Sequence, residues 1–304
     1  MAQADTAASG GLSAFSEALA NIVEASSPSV VRVDDGSHLT ASGTIWSADG
    51  VIVTTSHGVE RDEELAVILA DGTRHAAALI GRDADTDIAV LRIEGAAGLA
   101  AITRAETSSV RVGQIVLALG RPGEHGLLTT IGIISTRRDS QTGGHEEYIL
   151  STDADLYPGV SGGALVNAQG AFVGLLNRMY GRGLGVALGT PLVDRVVNTL
   201  LAHGRIPRGY LGIRTQLVAI PAHLKVSLDL AHTQGLLVVN VDAGSPAEQG
   251  GLLLGDTLLT IGGEAVQDVG TLRRYLHPGH PVPIQILRGG TLVEITPTVG
   301  AEPA

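Results

Sequence analysis

Between Ser29 and Leu188 the chain is divided into about a dozen short apolar runs separated by turn signals. They are Ser29–Val33, Ala41–Trp46, Val51–Thr55, Leu65–Leu69, Arg74–Gly81, Ile88–Ile93, Ile115–Leu119, Leu127–Ser135, Tyr148–Ser151, Gly163–Val166, Ala171–Asn177 and Leu184–Leu188. Three of the turns are explicit: Ala48-Asp49-Gly50, Ala70-Asp71-Gly72 and Asn167-Ala168-Gln169-Gly170. Such a succession, with no helical pattern between the runs, predicts a mainly β architecture, an antiparallel sandwich or pair of barrels rather than a parallel α/β sheet. The 41 glycines and 3% aromatic content suit short strands, tight turns and cores of Val, Leu, Ile and Ala.

The flanks of this region read differently. Residues 1–11 are small and polar and predict a mobile tail. Phe15, Leu19, Ile22 and Val23 recur at helical spacing, so a short amphipathic helix is expected over Leu12–Ala25, packed on its own domain or on a neighbouring subunit. A second helix is expected over Pro191–Leu201, with Gly204 as its stop. Arg205-Ile206-Pro207-Arg208 reads as a linker. From Gly209 a smaller unit begins, with strands near Leu211–Thr215, Gly235–Val241, Thr257–Ile261, Val282–Arg288 and Thr291–Pro297. Helices are expected there near Pro246–Gly250 and Val269–Leu276. The expected organisation is therefore tail and helix over 1–27, a β domain over 28–203, a linker over 204–208 and a second domain over 209–300.

Composition removes several functions. A net charge of −11 with a single lysine, Lys225, argues against a nucleic-acid partner. Without cysteine there is no disulfide, thiolate nucleophile or Cys-based zinc site. His145-Glu146-Glu147 lacks the second histidine of a zinc-protease helix, and Gly181-Arg182-Gly183-Leu184-Gly185 follows no nucleotide-binding unit. No run approaches the roughly 18 apolar residues of a transmembrane segment. The N-terminus has neither a basic nor an apolar leader region, so the protein either works where it is made or has had its leader removed.

One stretch offers chemistry: Asp153-Ala154-Asp155-Leu156-Tyr157-Pro158-Gly159-Val160-Ser161-Gly162-Gly163. Its glycines allow positive φ and close approach of a ligand, and the backbone N–H groups of Gly159 and Ser161 can point into one concavity, an oxyanion hole. A serine hydroxyl needs a base to become a nucleophile. His57 stands at the end of an apolar strand in Thr54-Thr55-Ser56-His57-Gly58-Val59, and Asp87 at the mouth of the next in Asp85-Thr86-Asp87-Ile88. The chain order His57, Asp87, Ser161 is that of the trypsin-like double-barrel proteases. A nucleophile elbow needs the serine first and a helix directly after it, whereas here a hairpin follows.

With those residues in view, the sequence resembles the HtrA (DegP/DegS-like) family of trypsin-fold serine proteases carrying a single C-terminal PDZ domain. The matching runs are Ala41-Ser42-Gly43-Thr44, the His57 segment, Thr86–Leu91, Val112–Gly120, Gly159–Asn167, Arg208–Ile213, and Gly244-Ser245-Pro246-Ala247 with Gly255-Asp256. The resemblance implies two six-stranded antiparallel β-barrels followed by the PDZ domain. It implies an ATP-independent endopeptidase that cleaves unfolded or misfolded proteins with His57, Asp87 and Ser161 and without cofactor or metal. By position against the family, Leu156, Tyr180 and Leu184 line the primary specificity pocket. No acidic residue is indicated at its base, so small to medium aliphatic residues are the expected preference. Arg138, in the polar loop Arg137–Glu147, falls where the family has a regulatory arginine. Tyr210-Leu211-Gly212-Ile213 matches the loop that holds peptide C-termini. A homotrimer or larger, in the cell envelope or periplasm, is implied as well.

The sequence departs from the family at Val160, at Thr55 and at Gly58, where Asn, Asn and Val are usual. The alternative reading is a catalytically silent peptide-binding chaperone or scaffold, and a third is an esterase.

Overall fold

Seven strands form the first sheet: β1 (Val30–Asp34), β2 (Ala41–Ile45), β3 (Val51–Thr55), β4 (Ala66–Ile68), β5 (Arg74–Ala76), β6 (Ala78–Asp83) and β7 (Ile88–Arg92). In this computed structural model, which describes residues 2–302 except 38–40, 124–125, 143–144, 180–183, 208 and 231–232, their order is β5-β4-β1-β2-β3-β7-β6, every pairing antiparallel. β5 and β6 lie at opposite ends of that order, yet only Ala77 separates them along the chain. The sheet therefore curls until the run from Arg74 to Asp83 serves both ends, and Ala77 donates to Leu65 O at 2.8 Å inside the break. The expected six-stranded barrel is present with one strand interrupted.

The second barrel is closed: β8 (Ile115–Gly120), β9 (Leu128–Thr142), β10 (His145–Thr152), β11 (Ala164–Asn167), β12 (Phe172–Asn177) and β13 (Gly185–Gly189), in the order β10-β13-β12-β11-β8-β9. Here one expectation is corrected. The segment from Arg137 is no loop, because β9 and β10 stay paired from Leu150↔Arg137 out to His145↔Thr142. Arg138, Asp139 and Ser140 are exposed in succession, a pattern that hides a strand from a reading based on alternation.

Strands packed on both faces explain the unbroken apolar runs. In β3 all five residues are buried. Val51 and Val53 turn to the core between the barrels and Ile52 to the core of the first, while Leu117 and Leu119 of β8 meet the shared core from the other side. Trp46 and Phe172 join the two barrels there, ring edge to face with centroids 5.2 Å apart.

Helix α1 runs over Ala2–Ser26, longer than expected; the alanine-rich start replaces the predicted tail. Leu19, Ile22 and Val23 pack on the shared core, and Ser26 Oγ donates to Gly170 O at 3.2 Å, so the helix docks on its own domain. α2 (Thr190–His203) buries Leu192, Val193, Val196, Val197 and Leu200 and stops at Gly204, whose φ of +69° supplies the left-handed cap. No helix among the described residues is long and apolar enough to cross a membrane.

The chain divides into two units, Met1–Ile206 and Pro207–Ala304. The second contains β14 (Gly209–Tyr210), β15 (Ile213–Ala219), α3 (Ala222–Ser227), β16 (Gln234–Val241), α4 (Pro246–Gln249), β17 (Thr257–Ile261), β18 (Glu264–Ala265), α5 (Val269–Arg274), β19 (Ile284–Arg288), β20 (Thr291–Ile295) and β21 (Gly300–Ala301). Its main sheet runs β15-β16-β17-β19-β20, with β18 on β17, and β14 pairs separately with β21. Arg208 of the expected linker lies outside the described residues.

Candidate active site

β3 ends at Thr55, and the chain then makes one 3-10 turn, Ser56–Gly58, closed by Val59 N–H donating to Ser56 O. This turn lifts His57 off the sheet. Asp87 precedes β7 with a φ of +57°, a left-handed conformation that aspartate tolerates better than most residues at a cost of about 1 kcal/mol. The strained residue makes three bonds to the histidine turn. Its carbonyl accepts from Ser56 N–H at 3.0 Å, Oδ1 from His57 N–H at 2.8 Å, and Oδ2 faces His57 Nδ1 at 2.5 Å.

Asn177, the last residue of β12, completes the carboxylate's surroundings. Fully buried, it donates from Nδ2 to Asp87 Oδ2 at 2.8 Å. Met179 N–H donates to its Oδ1 at 2.9 Å, which fixes the amide the right way round. Burial pushes the Asp87 carboxyl up, but the donors on His57 and Asn177 outweigh it and hold the group below the ordinary carboxylate range.

Ser161 sits in the loop between β10 and β11, tied to the same place. Gly162 N–H donates to Leu176 O at 2.8 Å, and the N–H of Arg178, next to Asn177, donates to Ser161 Oγ at 3.1 Å. One chain of hydrogen bonds and adjoining residues thus runs from His57 through Asp87, Asn177 and Arg178 to Ser161. Among the described residues the Arg178 N–H is the one hydrogen-bond partner of Ser161 Oγ, and no bond joins that oxygen to His57.

The loop's peptides are oriented one by one. Ser42, fully buried in β2, donates from its N–H to Ser161 O at 3.0 Å and from Oγ to Gly159 O at 2.8 Å. The same Oγ accepts from Arg121 N–H at 2.8 Å, and Thr54 Oγ1 donates to Ser42 O at 2.7 Å. Val160 O accepts from Gly163 N–H at 2.9 Å. With those carbonyls turned away, the N–H groups of Gly159 and Ser161 have no acceptor among the described residues, and Gly159 has a φ of +84°. Gly162, at φ +85°, cannot carry a side chain: a Cβ there falls 2.1 Å from Ser42 O. Val160 is buried against Gly120.

Arg178, whose N–H binds Ser161 Oγ, also lines a cavity of about 430 Å³ together with Leu156, Leu184, Asp153 and Asp155. Leu156 packs on Gly185, where an added Cβ would come within 2.9 Å of it. Asp153 and Asp155 are exposed residues of this lining, and Asp153 Oδ1 accepts from Ile133 N–H at 2.7 Å. Tyr180 lies outside the described residues. Arg138 is exposed in β9 opposite Ile149, and no hydrogen bond or ion pair links it to the triad among the described residues.

In the second unit Leu211 is buried, Gly212 has a φ of +78°, and the N–H groups of Leu211 and Gly212 have no acceptor among the described residues. Tyr210 donates its hydroxyl to Asp242 at 2.8 Å, and Ile213 opens β15, the edge strand of its sheet.

Reading the sequence missed Asn177 and Ser42. A polar residue closing an apolar strand was the available signal for Asn177; for Ser42 it was its place in the family-matching run Ala41-Ser42-Gly43-Thr44, which gave it no role.

Comparison with known proteins agrees with this geometry. Residues 41–175 match the trypsin-like peptidase domain and residues 209–299 the PDZ domain. The chain is 35% identical over 272 residues to a probable periplasmic serine endoprotease, DegP-like, of Rhizobium meliloti, covering 86% of this chain and 53% of that protein. To the serine endoprotease DegS of Salmonella typhimurium it is 32% identical over 275 residues, 86% of this chain and 77% of that one. It spans about half the length of the DegP-like relatives. Among solved structures it is similar to the HtrA-type protease AlgW with decapeptide, at 32% identity and a TM-score of 0.71, covering 94% and 99% of the two chains. The serine endoprotease from Yersinia pestis gives 31% identity and 0.70, covering 93% and 97%.

Proposed function

The chain belongs to the HtrA-type serine endoproteases, the family of DegP and DegS, and from that premise we propose that it is an ATP-independent endopeptidase of unfolded or misfolded proteins. The observation that carries the reading is the hydrogen-bonded path joining His57, Asp87, Asn177, Arg178 and Ser161. Asp87 holds Nδ1 of His57, which leaves Nε2 for the Ser161 hydroxyl. Arg178 N–H occupies a lone pair of Oγ, so the hydroxyl proton remains free for the base. After attack on the peptide carbon, the oxyanion takes the N–H groups of Gly159 and Ser161, each worth about 3 kcal/mol in sites of this kind. The imidazolium then protonates the leaving amine, and water repeats the sequence to release the acyl group.

For the residue before the scissile bond, Leu156 and Leu184 favour a medium aliphatic side chain, while Asp155 makes Lys or Arg the strongest competitor. A peptide series varied at that position alone is expected to give Val or Leu the highest kcat/KM; a top rank for Arg would reassign the pocket.

The second unit binds peptide C-termini. The free N–H groups of Leu211 and Gly212 suit a carboxylate, and the open edge of β15 suits an added peptide strand. Exposed Leu12 and Phe15 on α1 support assembly into a homotrimer or larger. The names of the relatives support a periplasmic setting, and a part in protein quality control and stress response belongs to the same proposal.

Casein digestion by wild type and Ser161→Ala tests the main reading. The variant is expected to lose more than about 10⁴-fold in kcat. Equal, negligible rates for both would instead favour the silent scaffold, and rapid turnover of small esters without peptide cleavage the esterase.

A further inference from the structure

The first unit holds a second cavity, of about 390 Å³, between the β4–β5 turn and the segment that follows β8. Arg32, Arg121, Asp71, Ile68, Leu69 and Gly123 are among its lining residues. Arg32 stands in the middle of β1, opposite Ser42 on one side and Ile68 on the other. Its Nε is buried and has no hydrogen-bond partner. No carboxylate among the described residues pairs with its guanidinium: Asp34, two residues along the strand, is taken by Arg74 at 2.5 Å. Arg121 donates from Nε to Val30 O at 2.6 Å and from Nη2 to Ser27 O at 3.2 Å. These bonds use two of its five N–H donors, no carboxylate among the described residues forms an ion pair with it, and burial weighs against its charge. Asp71 turns Oδ1 onto Thr73, accepting from N–H at 2.9 Å and from Oγ1 at 2.6 Å.

Two guanidinium groups against one carboxylate leave one uncompensated positive charge, in a chain whose net charge is −11. A buried guanidinium donor without an acceptor is costly, and a forked pair of oxygens is the group that matches it. One surplus charge balances a monoanion better than a phosphate dianion, and Ile68 and Leu69 add an apolar wall.

We propose that this cavity is a binding site for a carboxylate with a short apolar tail, held through its oxygens by Arg32 and Arg121 with the tail against Ile68 and Leu69. A short-chain free acid and the C-terminal residue of a peptide share that chemistry. The site is separate from the Tyr210–Ile213 loop, which lies in the other unit.

Calorimetric titration of the full chain with hexanoate tests the proposal. Arg32→Gln and Arg121→Gln are each expected to weaken binding at this site by about tenfold or more, since each removes a charge-assisted pair. Asp71→Asn keeps the turn's acceptor, removes the opposing charge and is expected to tighten binding by roughly threefold. That opposite direction keeps the test decisive even if an arginine variant folds poorly. Hexanoate binding that ignores Arg32→Gln, weakens in Asp71→Asn, or is outcompeted by equimolar inorganic phosphate overturns the proposal. Acetylated peptides ending in leucine, with free or amidated C-termini, separate the sources. An Arg32-dependent signal from the free form alone assigns the site to peptide ends, and Arg32-dependent binding confined to hexanoate assigns it to free acids.

Discussion

Asn177 shows how much of the site rests on a residue that never touches substrate. Its Nδ2 is one of three donors on the Asp87 carboxylate, and its neighbour Arg178 supplies the N–H that Ser161 Oγ accepts. Asn177→Ala is expected to lower kcat by about tenfold with little change in KM, because it loosens the carboxylate that orients the base and leaves the peptide groove intact. The sign of the pH effect follows from the same bonds. The donors hold Asp87 low, so removing one raises its pKa and protonation sets in at higher pH. Asn177→Ala should therefore lose stability at neutral pH, and that part of the deficit should shrink as pH falls through the Asp87 pKa, while a purely structural defect would lower stability equally at every pH. The pairing of His57 with Asp87, and the tie of Ser161 to the same place that supports the proposed triad, could be anticipated because residue type, position at strand ends and chain order all carry information. Asn177 and Ser42 could not be, since their roles come from which strand ends meet across the two barrels.

At the scale of elements, β2 does more than fill the first barrel. Through Ser42 it grips the carbonyls on both sides of Val160, and the Arg121 N–H completes that hydroxyl's bonding. This accounts for a valine at 160: the loop's orientation is supplied from outside it, and the buried side chain only has to pack. Ser42→Ala is expected to lower kcat about tenfold by freeing the Gly159 peptide, and to cost about 1–2 kcal/mol in thermal unfolding for the hydrogen bonds lost. A variant with the stability loss but full kcat would show that the loop holds its shape unaided. The β9–β10 hairpin marks the limit of element-level reading. Period-two alternation reveals a strand only when one face is buried, whereas Arg138, Asp139 and Ser140 are exposed in succession.

Across the whole molecule, the boundary near Ile206 was visible as a proline-containing polar stretch between two apolar patterns, and the second unit has a core of its own. It also has its own polar anchor. Asp256, almost fully buried, accepts from Arg288 Nε and Nη2 at 2.8 and 2.7 Å and from Leu253 N–H at 2.7 Å. Arg288→Ala strands that carboxylate and is expected to destabilise the second unit by about 3 kcal/mol, or roughly 15 °C in its unfolding temperature. Calorimetry should show that transition moving while the first unit's stays in place; a single transition that shifts as a whole would mean that the units unfold together.

The run from Arg74 to Asp83 adds a last consequence. Because one continuous piece of backbone is hydrogen-bonded to both ends of the first sheet, that sheet is a drum whose seam is the polypeptide itself. A nick at Ala77 would leave two ragged rims, each offering bare amides and carbonyls to any passing strand. An intact seam keeps the framework from becoming a template for other chains.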